Sequence, residues 1–131
     1  MTNAKRSSRL HNALKGMHAL ESARSSTLQQ RLASERRQLQ ELVTVLNESA
    51  ARDSAFADMN IRSLANARRR VRDLEEAVRR QALSVRRAEI AMQKMQQRVR
   101  QENRREDAKR RDRIAEDHVT RVHATHGASL R

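Results

Sequence analysis

From Leu64 the chain places Ala67, Val71, Leu74, Val78, Gln81, Val85, Ala88, Met92, Met95 and Val99 alternately three and four residues apart. This is a heptad seam sustained for about five heptads, and it demands a helix with one face buried along another helix. No strand can use that spacing, because alternate residues of a strand point to opposite faces. Upstream, Leu14, Leu28, Leu32, Leu39, Leu42 and Leu46 fall at similar helical steps, with Leu10 and Met17 adding apolar weight. Two seams of this kind predict two helices that pack on each other.

The segment between them, "NESAARDSAFAD" from Asn47 to Asp58, is small and polar and breaks both seams. A turn at 50–55 is the natural reading, with Asp53 or Ser54 capping the second helix. Neither Gly nor Pro forces that turn, so one continuous helix is the alternative. Registers discriminate between the two. In an antiparallel hairpin Leu42 faces Leu64, Leu39 faces Ala67, Leu32 faces Leu74, Leu28 faces Val78 and Leu14 faces Met92. The same offset sets Ser25 against Gln81. It has two mismatches, Glu35 against Val71 and Glu21 against Val85. His11 and His18 fall on the seam near its open end.

The expected fold is therefore all-α: a long antiparallel two-helix coiled-coil hairpin with an overhanging charged second helix. The expected organisation is a flexible tail over 1–8, helix 1 over 9–49, a turn over 50–55, helix 2 over 56–120 and a frayed tail over 121–131. Beyond Val99 the seam would need Glu102, Glu106 and Lys109, so helix 2 should project alone from about residue 99. Pairs four apart, namely Arg98–Glu102, Glu106–Arg110, Asp107–Arg111 and Arg113–Asp117, would support it by a few tenths of a kcal/mol each.

Composition agrees. The 131 residues include no Pro, no Cys, two Gly and one aromatic, Phe56. A compact core of this size normally holds several aromatic rings. The formal net charge is +13, from 29 Lys and Arg against 16 Asp and Glu. Such a chain is drawn to acidic partners: nucleic acid, anionic lipid or an acidic protein face. The lack of cysteine excludes a disulfide framework and a Cys zinc site, and suits a reducing compartment. No stretch has the length of a membrane span and no apolar secretory leader is present. Residues 1–20 lack acids and are rich in Ser and basic residues, as a transit peptide would be, but a frayed tail entering a helix is the better reading.

Catalytic chemistry is not visible. There is no phosphate-cradling glycine loop and no nucleophile-base constellation. His118, His123 and His126 lie close together, but as solvated histidines near a helix end rather than metal ligands. The chain reads as no enzyme, with no cofactor.

The chemistry is in "RRRVRDLEEAVRRQALSVRRAEI", Arg68 to Ile90, which holds eight arginines. In the heptad frame Arg72, Arg79 and Arg86 share one outer position; Arg80, Arg87 and Lys94 share the next. The outermost position carries Leu83 and Ile90. A charged stripe on a coiled coil is commonly a solvated face, and Leu83 and Ile90 could serve a third helix or self-association. Branched aliphatics inside a basic rim nevertheless suit protein docking. Nucleic acid needs only the charges, and single-strand binders add aromatic stacking platforms that are absent here. The candidate partner-binding residues are Arg72, Arg79, Arg80, Leu83, Arg86, Arg87, Ile90 and Lys94.

A helix carrying "LHNALKGMHAL" and "LQQRLASERRQLQELVTVL", a polar connector, and a longer charged helix ending in "AKRRDRIAED" resembles the FliJ–YscO family over roughly residues 8–118. These are stalk proteins of flagellar and type III secretion export machines. The resemblance implies a cytoplasmic adaptor, working at the cytoplasmic face of the inner membrane. Its paired helix ends, here about 8–25 with 88–118, would insert into a hexameric export ATPase. A middle surface would meet the export gate, and substrate chaperones would be further partners. Two other readings stand beside it: a basic coiled coil that binds nucleic acid, and a scaffold that dimerises through one continuous helix pair.

Overall fold

The computed structural model describes residues 3–49 and 57–129. It is entirely helical there: α1 is Asn3–Ser49 and α2 is Ala57–Ser129. The proposed turn at 50–55 and its caps Asp53 and Ser54 lie outside the described residues. The helices divide into two compact units, one formed by 16–90 and the other by the N-terminal stretch to Lys15 with the chain from Ala91.

In the first unit α1 and α2 run antiparallel. Arg36 bonds Glu75, Arg70 bonds Glu35, and Gln81 donates to Glu21. Partners near 70–75 of α2 lie at 35–36 of α1, and Gln81 further along α2 meets Glu21 further back along α1. One continuous helix could not make these contacts, since 35 helical residues separate Glu35 from Arg70 by about 50 Å at 1.5 Å per residue. The core is narrow. Leu32, Ala67 and Val71 are buried; Leu28, Leu39, Leu42, Leu46, Leu64, Leu74, Val78 and Val85 are half-buried. Every one of these was expected on the seam.

Burial is incomplete because two helices can shield each other along a single stripe only. The side chains at its edges stay wet, and no large side chain among the described residues is fully enclosed. Apolar burial still supplies most of the driving force, at about 25 cal/mol per Å² removed from water.

The second unit departs from expectation at both chain ends. Helix α1 begins at Asn3, not residue 9, and Ala4 and Ser7 are buried. Leu14, Met92, Met95 and Val99 are half-buried, and so are Glu102 and Glu106. Packing therefore continues past Val99. The physical reason is size. Ala4 and Ser7 are small enough to let α2 approach, and the Ser7 hydroxyl comes close enough to act on the Glu102 carboxyl. From 107 to 127 every side chain of α2 is exposed, which is the expected projecting segment starting later. It stays helical to Ser129, where a frayed tail from 121 was expected. Nothing interrupts it: the stretch has no Pro, and Gly127 has open space around it.

Leu10 and Met17, counted among the apolar residues of α1, are exposed at 49% and 58%. The inward positions there are His11, Leu14 and His18, all half-buried.

Candidate interaction surface

The outer face of α2 is built by the seam that buries its inner face. Val78, Gln81, Val85 and Ala88 turn inward, so residues about half a turn away must point outward. Arg72, Arg79, Arg80, Leu83, Arg86, Arg87 and Ile90 are all exposed, Leu83 at 57% and Ile90 at 42%. At 100° per residue Leu83 and Ile90 lie opposite the seam. Arg79 and Arg86 flank them on one side, Arg80 and Arg87 on the other. Lys94 is likewise exposed, but it belongs to the other compact unit.

The arginines of the chain fall into two groups. Some already have carboxylate partners. Arg36 meets Glu75 at 3.2 Å and Arg70 meets Glu35 at 3.4 Å, both across the helix pair. Arg24 meets Glu21 at 3.4 Å and Arg80 meets Glu76 at 2.5 Å, within a helix. Arg72, Arg79, Arg86 and Arg87 have no carboxylate at salt-bridge distance among the described residues. The division follows from where acids stand. Glu35 and Glu75 lie beside the seam and satisfy the arginines at its edges, whereas beyond Glu76 the outward positions are Leu83 and Ile90.

The short stretches "RRQAL" and "RRAEI", Arg79–Leu83 and Arg86–Ile90, make this a repeat of two units seven residues apart. Each presents two guanidinium groups and one branched aliphatic. The repeat advances about 10 Å along the axis per unit.

Polar residues on the seam were expected as flaws, and the structure gives them partners. Glu21 accepts from Gln81 through both its backbone carbonyl and its carboxylate. Glu35 accepts from Arg70. Ser25 is half-buried, but the partner of Gln81 is Glu21. Glu102 was expected just past the end of the seam, paired with Arg98. The pair is present, Arg98 Nε donating to Oε1 at 3.2 Å, but Glu102 is held well inside, 15% exposed. The Ser7 hydroxyl is the main reason that its carboxyl is held below the ordinary value, with Arg98 and Arg105 adding to the effect and partial burial opposing it. Its Oε2 atom is buried without a hydrogen-bond partner among the described residues, so Ser7 acts on the carboxyl from nearby and not through a well-formed bond. Further along, Arg111 bonds the backbone carbonyl of Asp107 rather than its carboxylate. The aliphatics Ile114, Val119 and Val122 are exposed on the projecting segment.

Among the described residues no group of three or more His, Cys, Asp or Glu side chains could hold a metal ion. No helix among them is long and apolar enough to cross a membrane. Surface indentations are open grooves along the helices, such as that beside Ala23, Thr27, Leu28 and Gln81. The arrangement offers ridges for recognition. Searches of protein-family models, of curated proteins and of solved structures found no match to this chain.

Proposed function

We propose that this protein is a non-enzymatic helical adaptor, and specifically a stalk of a flagellar or type III protein export apparatus. It would couple the hexameric export ATPase to the export gate at the cytoplasmic face of the inner membrane, with substrate chaperones as further partners. The observation that carries the adaptor reading is the outer face of α2, where Leu83 and Ile90 stand exposed among arginines of which all but Arg80 have no carboxylate partner among the described residues. The stalk assignment rests on the pattern of a leucine-spaced first helix followed by a longer, charged second helix.

In this mechanism the chain performs no chemistry. The paired ends, about 8–25 with 88–118, enter the ATPase ring. The arginine face holds an acidic surface of the gate. Exposed side chains that are already charged and unpaired lose little on binding, because no internal ion pair must first break.

The test is a pull-down at about physiological salt with nuclease present, comparing wild type with a Leu83→Ser/Ile90→Ser variant. Retention of an export ATPase and a gate protein by wild type, with loss of the gate by the variant, supports the stalk. Recovery of nucleic acid before nuclease and of nothing after it would establish the rival reading, in which the arginines form a phosphate track.

A further inference from the structure

The repeated unit on α2 specifies its occupant more narrowly than an acidic surface. We infer that Arg79–Ile90 is a docking ridge for one acidic amphipathic helix of a partner protein, which lies along α2 on the side opposite α1. This rests on the adaptor reading but not on the export assignment.

The argument begins with spacing. Leu83 and Ile90 recur at seven residues, and each unit brings one arginine on either side. A ligand that satisfies both units must present apolar groups about 10 Å apart, with carboxylates along both edges. A helix with apolar residues at heptad spacing and Glu or Asp at the flanking positions does this without strain. It is the flanking-charge arrangement by which coiled coils choose partners.

Charge then narrows the choice. A second copy bringing the same face would set Arg79, Arg86 and Arg87 against their own duplicates, so self-association through this ridge is repelled. An anionic nucleic acid would satisfy the guanidinium groups but would leave Leu83 and Ile90 against a polar backbone. No Phe, Tyr or Trp is available on α2 to stack bases, since the only aromatic of the chain is Phe56. Among the described residues no carboxylate lies at salt-bridge distance from Arg79, Arg86 or Arg87, so an incoming carboxylate breaks no ion pair seen there. Arg80 is held by Glu76, four residues earlier, and marks the start of the ridge. In the preceding heptad the position equivalent to Leu83 is Glu76, so the apolar line ends there and the ridge is two units long.

The experiment uses the full chain and a fluorescein-labelled synthetic peptide of about three heptads, with Leu at the core positions and Glu at the flanking ones. A scrambled peptide of identical composition and a single-stranded oligonucleotide are the comparison probes. Fluorescence anisotropy at about physiological salt gives affinity, and circular dichroism gives helix gained on mixing. The amphipathic peptide should bind about tenfold or more tightly than the scrambled one and gain helix. Leu83→Ser/Ile90→Ser should weaken it by a similar factor. Arg79→Glu/Arg86→Glu should abolish binding, and a peptide with Lys in place of Glu only along the edge that meets those two positions should restore it. All substituted side chains are exposed, so the hairpin itself should lose no stability. Equal binding of the two peptides, or indifference to Leu83→Ser/Ile90→Ser, overturns the ridge. Preferential binding of the oligonucleotide overturns it in favour of a phosphate track. Success here with failure of the pull-down would leave the ridge standing and remove the export assignment.

Discussion

At the scale of single residues, the polar groups on the seam decide how firmly the two helices hold one register. Glu35 occupies an inward position beside buried Val71 and reaches back to Arg70, whose side chain is 57% exposed. An ion pair that open to water contributes little. Filling the position with an aliphatic side chain should gain more than the pair loses. Glu35→Leu is therefore expected to stabilise the hairpin by about 1 kcal/mol, read as a higher urea midpoint. A lower midpoint would mean that the Arg70 contact matters more than the missing apolar contact.

Glu102 supplies a prediction with a pH sign. The Ser7 hydroxyl, which is itself buried, helps hold its carboxyl below 4.5, the value for an unperturbed group. A carboxylate with a lowered folded-state value contributes stability that is fully present above about 4.5 and is lost as pH falls through the folded value. Ser7→Ala should move the Glu102 titration up toward 4.5. The check is an NMR titration of the labelled side chain, together with acid unfolding followed at residues 3–15. An unchanged titration would assign the lowering to Arg98 and Arg105 instead.

At the scale of the helices, length and spacing were legible from the sequence and the ends were not. Leu32, Val71, Leu74 and Val85 declare a seam because Leu and Val at heptad steps have one packing solution. Ala4 and Ser7 declare nothing. Small residues are neutral in any pattern, and their burial depends on how closely α2 approaches them. The reach of α2 was legible in its lack of Pro. Its continuation through Gly127 was not, because one glycine in a helix costs only about 1 kcal/mol and neighbouring residues can offset it. The outer face was legible as soon as the seam was, since Leu83 and Ile90 stand opposite it. Which arginines are unpaired was not, because Arg36 and Arg70 meet carboxylates far away in sequence.

Gly16 tests the same logic. It lies well inside α1, and a Cβ built there meets nothing within 4 Å. Gly16→Ala should stabilise the hairpin by about 0.5–1 kcal/mol, because alanine restricts the unfolded chain and introduces no clash. Thermal unfolding followed by circular dichroism reads the gain. A loss would show that something must approach the bare backbone at Gly16, which would make that point of α1 a contact site.

For the whole molecule, the governing quantity is the excess of 29 cationic side chains over 16 anionic ones. Attraction and repulsion both act at the surface, and salt weakens both. The ion pairs of Arg24, Arg36, Arg70 and Arg80 are exposed and individually weak. The repulsion is collective, because each unpaired arginine feels several others within about 10–20 Å along α2. Raising ionic strength from about 0.01 to 0.15 M shortens the screening length from about 30 to about 8 Å. That change removes most of the repulsion between neighbouring heptads while leaving contacts of 3–4 Å largely in place. The hairpin should therefore become more stable as salt is added, with a thermal midpoint that rises through this range and then levels off. A fall would mean that the ion pairs outweigh the repulsion. The same imbalance links stability to binding. An acidic helix on Arg79, Arg86 and Arg87 neutralises part of the excess, so it should stabilise the hairpin most at low salt. The increment in thermal midpoint caused by the peptide should shrink as salt replaces it as the screening agent.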